Sequence, residues 1–409
     1  MHLKHNLFDT QELVGNIIGH VIDHAPGQSK RDLLPCALVA RLWTYPAQSC
    51  IFRQLRWSST DLSSRWPLLH RTLGSAPYLV QHIRRLCIFC GPMPTNLLHL
   101  FLDMCTFPFT HLEHADVSLH YTMPVQNVLA VRQLFGLTTL RSVAIHWSRS
   151  SYDEPFHRLW ELCSPSIKHL ALNLHDGHHP PPKSAPRRSQ TPVIFLESLH
   201  IVINGSSEHA LDDTPFSLGK LNKLSVASFT EPILWHPFAR SFQSVQYLAF
   251  AIGVRVLGSY DTPSNPVPKY NHTPTSIDLS LLPNLVVLAI RLDWLKSGVT
   301  EAELSKVLSS INAVNQISTI IFQTWVFESS MCEKLDAKLS SLPMRQPPIV
   351  VLDMNTEIYS QWRHHMPTLR SSNLASFFLR FDEQFLCFTP NQQLRRAVAD
   401  SKCSCCEVD

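Results

Sequence analysis

The chain has 409 residues, of which 44% are hydrophobic and 16% are charged, and its formal net charge at pH 7 is +3. This composition supplies enough apolar side chains for a folded core and excludes an intrinsically disordered chain. The small net charge gives no basis for binding to nucleic acid or to a membrane surface. The 29 prolines and 12 glycines favour rigid connections between short elements over tight hairpins.

The N-terminal residues Met1–Asn6 contain no apolar signal-peptide core. No stretch of the chain approaches the roughly 18 consecutive apolar residues that a membrane helix needs. We therefore expect a cytoplasmic or nuclear protein without a membrane span. In those compartments its 11 cysteines should be mostly reduced.

The first elements in chain order are two short helices. The first is predicted from apolar residues that recur on one helical face, namely Leu13, Ile17, Ile18, Val21 and Ile22. The second begins near Ser29 or Asp32, and Pro46 predicts a break. Helices this short bury little surface by themselves, so an apolar face should meet a partner or the next domain.

The residues of this segment follow a recognisable pattern. The pattern is Phe8-Asp9-Thr10-Gln11-Glu12-Leu13, then Ile17-Ile18 and Val21, then Leu34, Cys36-Ala37-Leu38-Val39, Arg41 and Trp43, and finally Ile51-Phe52-Arg53. In this pattern residues 7–57 resemble the F-box, in the diverged form found in fungal proteins with leucine-rich C-terminal halves. The Leu-Pro pair that usually opens the family's motif is replaced here by Phe8-Asp9-Thr10.

The resemblance implies that this segment docks onto the adaptor of an SCF-type cullin-RING ubiquitin ligase, and through it onto a cullin. The residues that would contact the adaptor or support its site are Leu13, Ile17, Ile18, Leu34, Cys36, Leu38, Val39 and Trp43. The chain itself would then be no enzyme and would need no cofactor and no metal. An open alternative is a helical cap that buries its own apolar face.

A helical linker is predicted at residues 58–80, and residues 81–382 repeat the pattern apolar-x-x-apolar-x-apolar. The repeats follow one another in steps of 24 to 32 residues, with one step of 40. Most steps are close to the roughly 20–29 residues of leucine-rich repeats. The occurrences begin at Ile83, Leu112, Leu140, Ile167, Leu196, Leu221, Val245, Leu285, Ile317, Ile349 and Leu374.

Each occurrence predicts a short strand with its apolar residues on one face, and such units must stack to bury that face. The predicted fold is therefore α/β. A small helical F-box precedes an irregular leucine-rich-repeat solenoid, whose curved parallel sheet has helices or loops on its convex side. A plain α/β domain is the alternative. Residues 175–192 and 253–283 are predicted as exposed insertions, and residues 383–409 as a C-terminal tail.

Strand residues that point away from this core would line the concave surface, which makes them candidates for binding a protein substrate. They are Arg85, His114, Asp116, His146, His169, His200, Lys223, Tyr247 and Arg291, together with Ser142, Asn173 and Gln323. The alternative for all of them is an ordinary solvated strand position.

Two further clusters contain metal-ligand residue types. They are His175, Asp176, His178 and His179 beside three prolines, and Cys403, Cys405 and Cys406 near the C-terminus. A solvated loop and a frayed tail with free thiols explain them better than metal sites. The sequence contains no Walker loop, dinucleotide-binding glycine pattern, nucleophile elbow, HExxH or CxxC motif.

Joined to the predicted repeats, the F-box resemblance implies the substrate-recognition subunit of an SCF-type ubiquitin ligase. The alternative is a ligase-independent leucine-rich-repeat module for protein–protein interaction with a degenerate F-box. A hydrolase built on an α/β sheet would need converging Ser, His and Asp residues, which the sequence does not indicate.

Overall fold

The computed structural model describes most of the chain between residues 41 and 353. The described residues are Val14, Pro35, 41–58, 65–90, 98–120, 125–148, 159–174, 193–203, 214–228, 233, 235–252, 277–292, 297–312, 315–324, 329–343, 348–353 and 365–367. Two compact units divide between Ile167 and Lys168.

The fold is α/β and contains a large parallel sheet of eleven strands, so the predicted class is confirmed. The strands in the first unit are β1 Gln54–Ser58, β2 Arg85–Cys90, β3 His114–His120 and β4 Ser142–Ser148. Those in the second unit are β5 His169–Leu174, β7 Ser198–Ile203, β9 Lys223–Ser228, β10 Tyr247–Ile252, β11 Val287–Leu292, β12 Thr319–Thr324 and β13 Ile349–Asp353. Two short strands, β6 Ile194–Phe195 and β8 Phe216–Ser217, form a separate parallel pair.

Helices occupy many of the connections between strands. The first unit contains α1 Arg41–Arg53, α2 Arg65–Ser75, α3 Leu98–Thr106 and α4 Val125–Phe135, and the second unit contains α5 Ser297–Ser309 and α6 Ser329–Ser340. Shorter 3₁₀ helices are at Pro77–His82, His236–Ser241 and Leu279–Leu281. Parallel strands require such crossovers, because a tight hairpin joins only antiparallel neighbours.

In each unit, one face of the sheet packs against the hydrophobic core. In the second unit the register aligns a single buried row, whose members are all at most 2% exposed: Leu170, Leu199, Leu224, Leu248, Leu288, Ile320 and Val350. In the first unit Trp57, Ile88, Val117 and Ile145 form a corresponding row. Each such side chain contributes about 1.5–3 kcal/mol by burial, which explains why the apolar spacing predicts the strands.

A second regularity is in the backbone. The N–H of the residue that precedes each strand donates to the carbonyl of the corresponding residue one repeat earlier. In the first unit these bonds run from Arg84 to Arg53 (2.9 Å), from Glu113 to Arg84 (2.8 Å) and from Arg141 to Glu113 (2.9 Å). In the second unit the same bonds join Glu197 to Lys168, Asn222 to Glu197, Gln246 to Asn222, Val286 to Gln246 and Ser318 to Val286. At β13 the preceding residue is Pro348, which has no N–H, and the first strand residue, Ile349, donates to the Ser318 carbonyl instead.

Hydroxyl groups reinforce the same stacking. A serine or threonine that precedes the first apolar residue of a repeat donates to the carbonyl of the first apolar residue one repeat earlier. These bonds join Thr139 Oγ1 to the Leu112 carbonyl (2.8 Å), Ser166 Oγ to Leu140 (2.8 Å) and Ser244 Oγ to Leu221 (2.7 Å). Each bond ties one repeat to the preceding one.

The strand predictions succeed for β2–β5, β7 and β9–β12, all of which contain the second and third predicted apolar positions, while the first lies just before each strand. At β13 the predicted phase is wrong by two residues, because Val350 pairs with Ile320 and Leu352 pairs with Phe322. Ile349 is instead 40% exposed. The predicted strand at Leu374 is outside the described residues.

Three other expectations differ from the structure. Pro46 does not break α1, which continues from Arg41 to Arg53; the cost is the N–H that Pro lacks. Residues 54–57, expected in the helical module, belong to strand β1, which pairs with β2. The second predicted insertion is too long, because Ile277 and Leu279 are already buried.

The remaining boundaries lie partly outside what the structure describes. Helix α2 begins at Arg65, within the predicted helical linker. Residues 175–192, 253–276 and 383–409 are outside the described part of the chain, so those predictions stand as they are.

Candidate functional site

The most polar surface of the first unit is the side of β1–β4 opposite its core. Because side chains alternate along a strand, the residues between the core positions all point to this side. They are Gln54, Arg56, Arg85, Cys87, Phe89, His114, Asp116, Ser118, Ser142, Ala144 and His146. We call these eleven residues the first polar face.

Four side chains of the first polar face form a connected chain across all four strands. The Arg56 guanidinium lies 5.1 Å from the centroid of the Phe89 ring. The Phe89 ring lies 6.3 Å from the His146 ring, centroid to centroid. His146 Nε2 in turn lies 3.3 Å from Asp116 Oδ1. Ser118 is the residue opposite both Phe89 and His146, and its small side chain lets the two rings approach.

A second group surrounds the Cys87 thiol. Gln54 Nε2 lies 4.0 Å from Cys87 Sγ and donates to it, and the Arg85 side chain also hydrogen-bonds to the thiol. Burial raises the pKa of Cys87, and the charge of Asp116 raises it further. The thiol is therefore neutral at pH 7, so it provides no anion for Arg85 and is not an activated nucleophile.

Arg85 is partly buried, and its Nε is fully buried without a hydrogen-bond partner. No ion pair joins Arg85 or Arg56 to a carboxylate in the part of the chain that the structure describes. Asp116 is the one acidic residue of the first polar face, and its Oδ1 lies 3.3 Å from His146 Nε2. Two arginines against one aspartate leave this face with a net positive charge.

The second unit places its predicted residues differently. His169, Lys223 and Tyr247 lie in one row with Ser198, and Arg291 pairs in register with Gln323. His200 Nδ1 lies 2.8 Å from Ser225 Oγ.

Tyr247 is only 8% exposed and packs in a buried cluster with Ala249, Val287, Ala289 and Ile321. A neighbouring cluster consists of Val202, Ala227 and Ala251. The surface that the sequence predicts to be polar is therefore apolar along β10–β12 of this unit.

The residues predicted to bind an adaptor are mostly outside the described residues. This is true of Leu13, Ile17, Ile18, Leu34, Cys36, Leu38 and Val39. Trp43 lies in α1, and the structure describes only its backbone. Their role stays a prediction.

Sequence reasoning missed six members of the first polar face, namely Gln54, Arg56, Cys87, Phe89, Ser118 and Ala144. A signal for the first two exists, because Phe52, Leu55 and Trp57 repeat the apolar spacing of the later strands. Leu55 pairs with Leu86, and Trp57 pairs with Ile88. Assigning these residues to the helical segment concealed an additional repeat.

The described residues include no group of three or more His, Cys, Asp or Glu arranged to hold a metal ion. The loop containing His175, Asp176, His178 and His179 and the C-terminal cysteines lie outside them. None of the helices in the described ranges is long and apolar enough to cross a membrane.

No protein-family model matches this chain, and no curated protein matches it significantly.

Proposed function

We propose that this protein is the substrate-recognition subunit of an SCF-type cullin-RING ubiquitin ligase. Its N-terminal F-box-like segment would bind the adaptor, and the first polar face would bind a protein substrate. Its strands would be the repeats of an irregular leucine-rich-repeat solenoid, supported by their regular backbone and hydroxyl bonds. The work of such a subunit is binding, which agrees with a neutral Cys87 thiol on the face.

The observation that carries the proposal is the fixed junction between α1 and β1. Helix α1 ends at Arg53, and β1 begins at the next residue. The carbonyl of Arg53 accepts from the Arg84 N–H at 2.9 Å. Ala47 is fully buried, and the Tyr45 ring lies 4.8 Å from the His82 ring. A partner bound to α1, the helix that contains Trp43, would therefore keep a defined orientation to the first polar face.

A defined orientation is what a receptor subunit requires, since it must hold a substrate at a set position relative to the rest of a ligase. Arg56 lies three residues after the end of α1 and projects from the first polar face. The distance along the chain between the two binding segments is thus very short. An independent binding module would need no such rigid connection.

Co-expression of the full chain with an SCF adaptor, followed by a pull-down, tests this proposal. The wild type should co-purify with the adaptor, and Ile17→Asp and Trp43→Ala should each reduce recovery at least tenfold. Leu281→Asp is the matched control, because Leu281 is 51% exposed in the second unit, and it should co-purify like the wild type.

Circular dichroism of each variant separates loss of binding from loss of folding. If the folded wild type recovers no adaptor, the ligase role is rejected, and the ligase-independent binding module replaces it.

A further inference from the structure

We infer that the first polar face binds an extended acidic peptide segment, whose anionic side chains pair with Arg56 and Arg85. This inference rests on the substrate-binding half of the proposed function and names the chemistry of the substrate. It does not depend on the adaptor.

The first step is the charge of the face. Arg56 and Arg85 are accompanied by two histidines, His114 and His146, and by a single carboxylate, Asp116. The Oδ1 atom of that carboxylate lies 3.3 Å from His146 Nε2, and the two arginines outnumber the single carboxylate. A partner segment rich in anions would complement this surface, whereas a basic segment would meet like charges.

The second step is the state of Arg85. Its side chain is partly buried in the row formed by Gln54, His114 and Ser142, and its Nε has no hydrogen-bond partner. Its other contact is the neutral thiol of Cys87. A partly buried guanidinium without an anion has lost hydration that no counter-charge replaces. An incoming carboxylate or phosphate would supply the missing counter-charge, and Arg binds both in a bidentate manner.

The third step is the position of Arg56. Its guanidinium lies over the Phe89 ring at 5.1 Å, which orients it while its exposed side stays open to solvent. The Phe89 and His146 rings next to it provide an apolar surface for the peptide's intervening residues. Parallel strands hold all of these groups in register, so the peptide would meet a preorganised surface.

Fluorescence anisotropy with labelled octapeptides tests this inference on the full chain without adaptor. The probes are an alternating Glu-Ala peptide, an alternating phosphoserine-Ala peptide and an alternating Gln-Ala peptide. At least one of the two anionic probes should bind, and the Gln-Ala probe should bind at least tenfold more weakly. Preference between the anionic probes then identifies the anion as carboxylate or phosphate.

Two variants and one control locate the binding. Arg85→Gln and Arg56→Gln should each raise Kd at least fivefold. Arg71→Gln removes the same charge from an exposed position of α2 and should leave Kd within twofold of the wild type. Thermal unfolding accompanies each variant. If Arg85→Gln is destabilised, the exposed Arg56→Gln decides the outcome.

The inference is overturned if neither anionic probe binds at millimolar concentration. It is also overturned if the Gln-Ala probe binds equally well, or if Arg71→Gln weakens binding as much as Arg56→Gln does. Because no adaptor is present, peptide binding can succeed while the adaptor pull-down fails, and the reverse. The two proposals therefore fail separately.

Discussion

His146 and Asp116 lie close together on neighbouring strands without being opposite each other. Asp116 is aligned with Ala144, and His146 is aligned with Ser118, yet His146 Nε2 reaches Asp116 Oδ1 at 3.3 Å. The contact is diagonal, and the small side chains of Ser118 and Ala144 leave room for it. The contact places the one acidic group of the first polar face beside His146.

Replacing Asp116 by Asn should therefore affect binding more than folding. Both side chains are about one-fifth exposed, and pairs near the surface contribute about 0–1 kcal/mol. We expect the free energy of unfolding in urea to fall by no more than ~1 kcal/mol. We expect an anionic octapeptide to bind at least twofold more tightly, because the face loses a negative charge. Weaker binding in a folded variant would contradict this.

The hydroxyl bonds between repeats should contribute measurably to stability. Thr139→Val removes the bond to the Leu112 carbonyl at nearly constant side-chain volume, and should cost about 0.5–1.5 kcal/mol. Thr106→Val is the control, because Thr106 also donates at 2.8 Å but to the exposed carbonyl of Asp103 in its own helix. That change should stay within ~0.5 kcal/mol. Equal effects in urea unfolding would show that the bond between repeats has no special role.

Strand β1 should be part of the core of the first unit. Trp57 is 1% exposed, and its ring lies 5.3 Å from that of Phe101. Trp57→Ala should lower the free energy of unfolding by about 3–5 kcal/mol. Leu68→Ala, at a position that is 61% exposed in α2, should change it by less than ~0.5 kcal/mol. If Trp57→Ala changes the free energy of unfolding only slightly, β1 does not belong to this core.

Acidification should weaken the first unit through His82. Burial lowers the pKa of His82, and the charge of Arg84 lowers it further. Because the folded pKa is below the unfolded value of about 6.5, the unfolded chain binds more protons in this range. The free energy of unfolding should therefore fall as the pH drops from about 7.5 to 5.5.

The variant His82→Gln should show a smaller decrease over the same pH range, measured by urea unfolding at each pH. His99→Gln changes an exposed histidine of α3 and should keep the wild-type dependence. If both variants behave like the wild type, another group causes the acid sensitivity.

The sequence predicts the strands well because a buried row imposes a repeating chemical requirement. Leu248, Leu288 and Ile320 lie next to one another in the sheet, so each must be apolar, and the spacing along the chain records this. The same spacing does not determine where the helices between the strands begin and end. Pro46 lies inside α1, because the surrounding contacts, including buried Ala47, outweigh one missing hydrogen bond.

The candidate site is only partly predictable, for a related reason. Alternation identifies the side of the sheet on which a residue lies, and it places Arg85, Asp116 and His146 correctly on the side opposite the core. It does not reveal what covers that side. Tyr247 is buried with Val287 and Ile321, which are distant in sequence and carry no local signal of that contact.

The backbone hydrogen bonds formed just before the strands also affect how the number of repeats could change. They use N–H and carbonyl groups alone, so residues as different as Arg84, Glu113 and Arg141 occupy equivalent positions. Removing residues 113–140 as one block would bring the Arg141 N–H to the vacant Arg84 carbonyl. These backbone bonds place no demand on the side chain at such positions, so we expect that the number of repeats, and with it the area of the proposed binding surface, can change separately from the segment that precedes them.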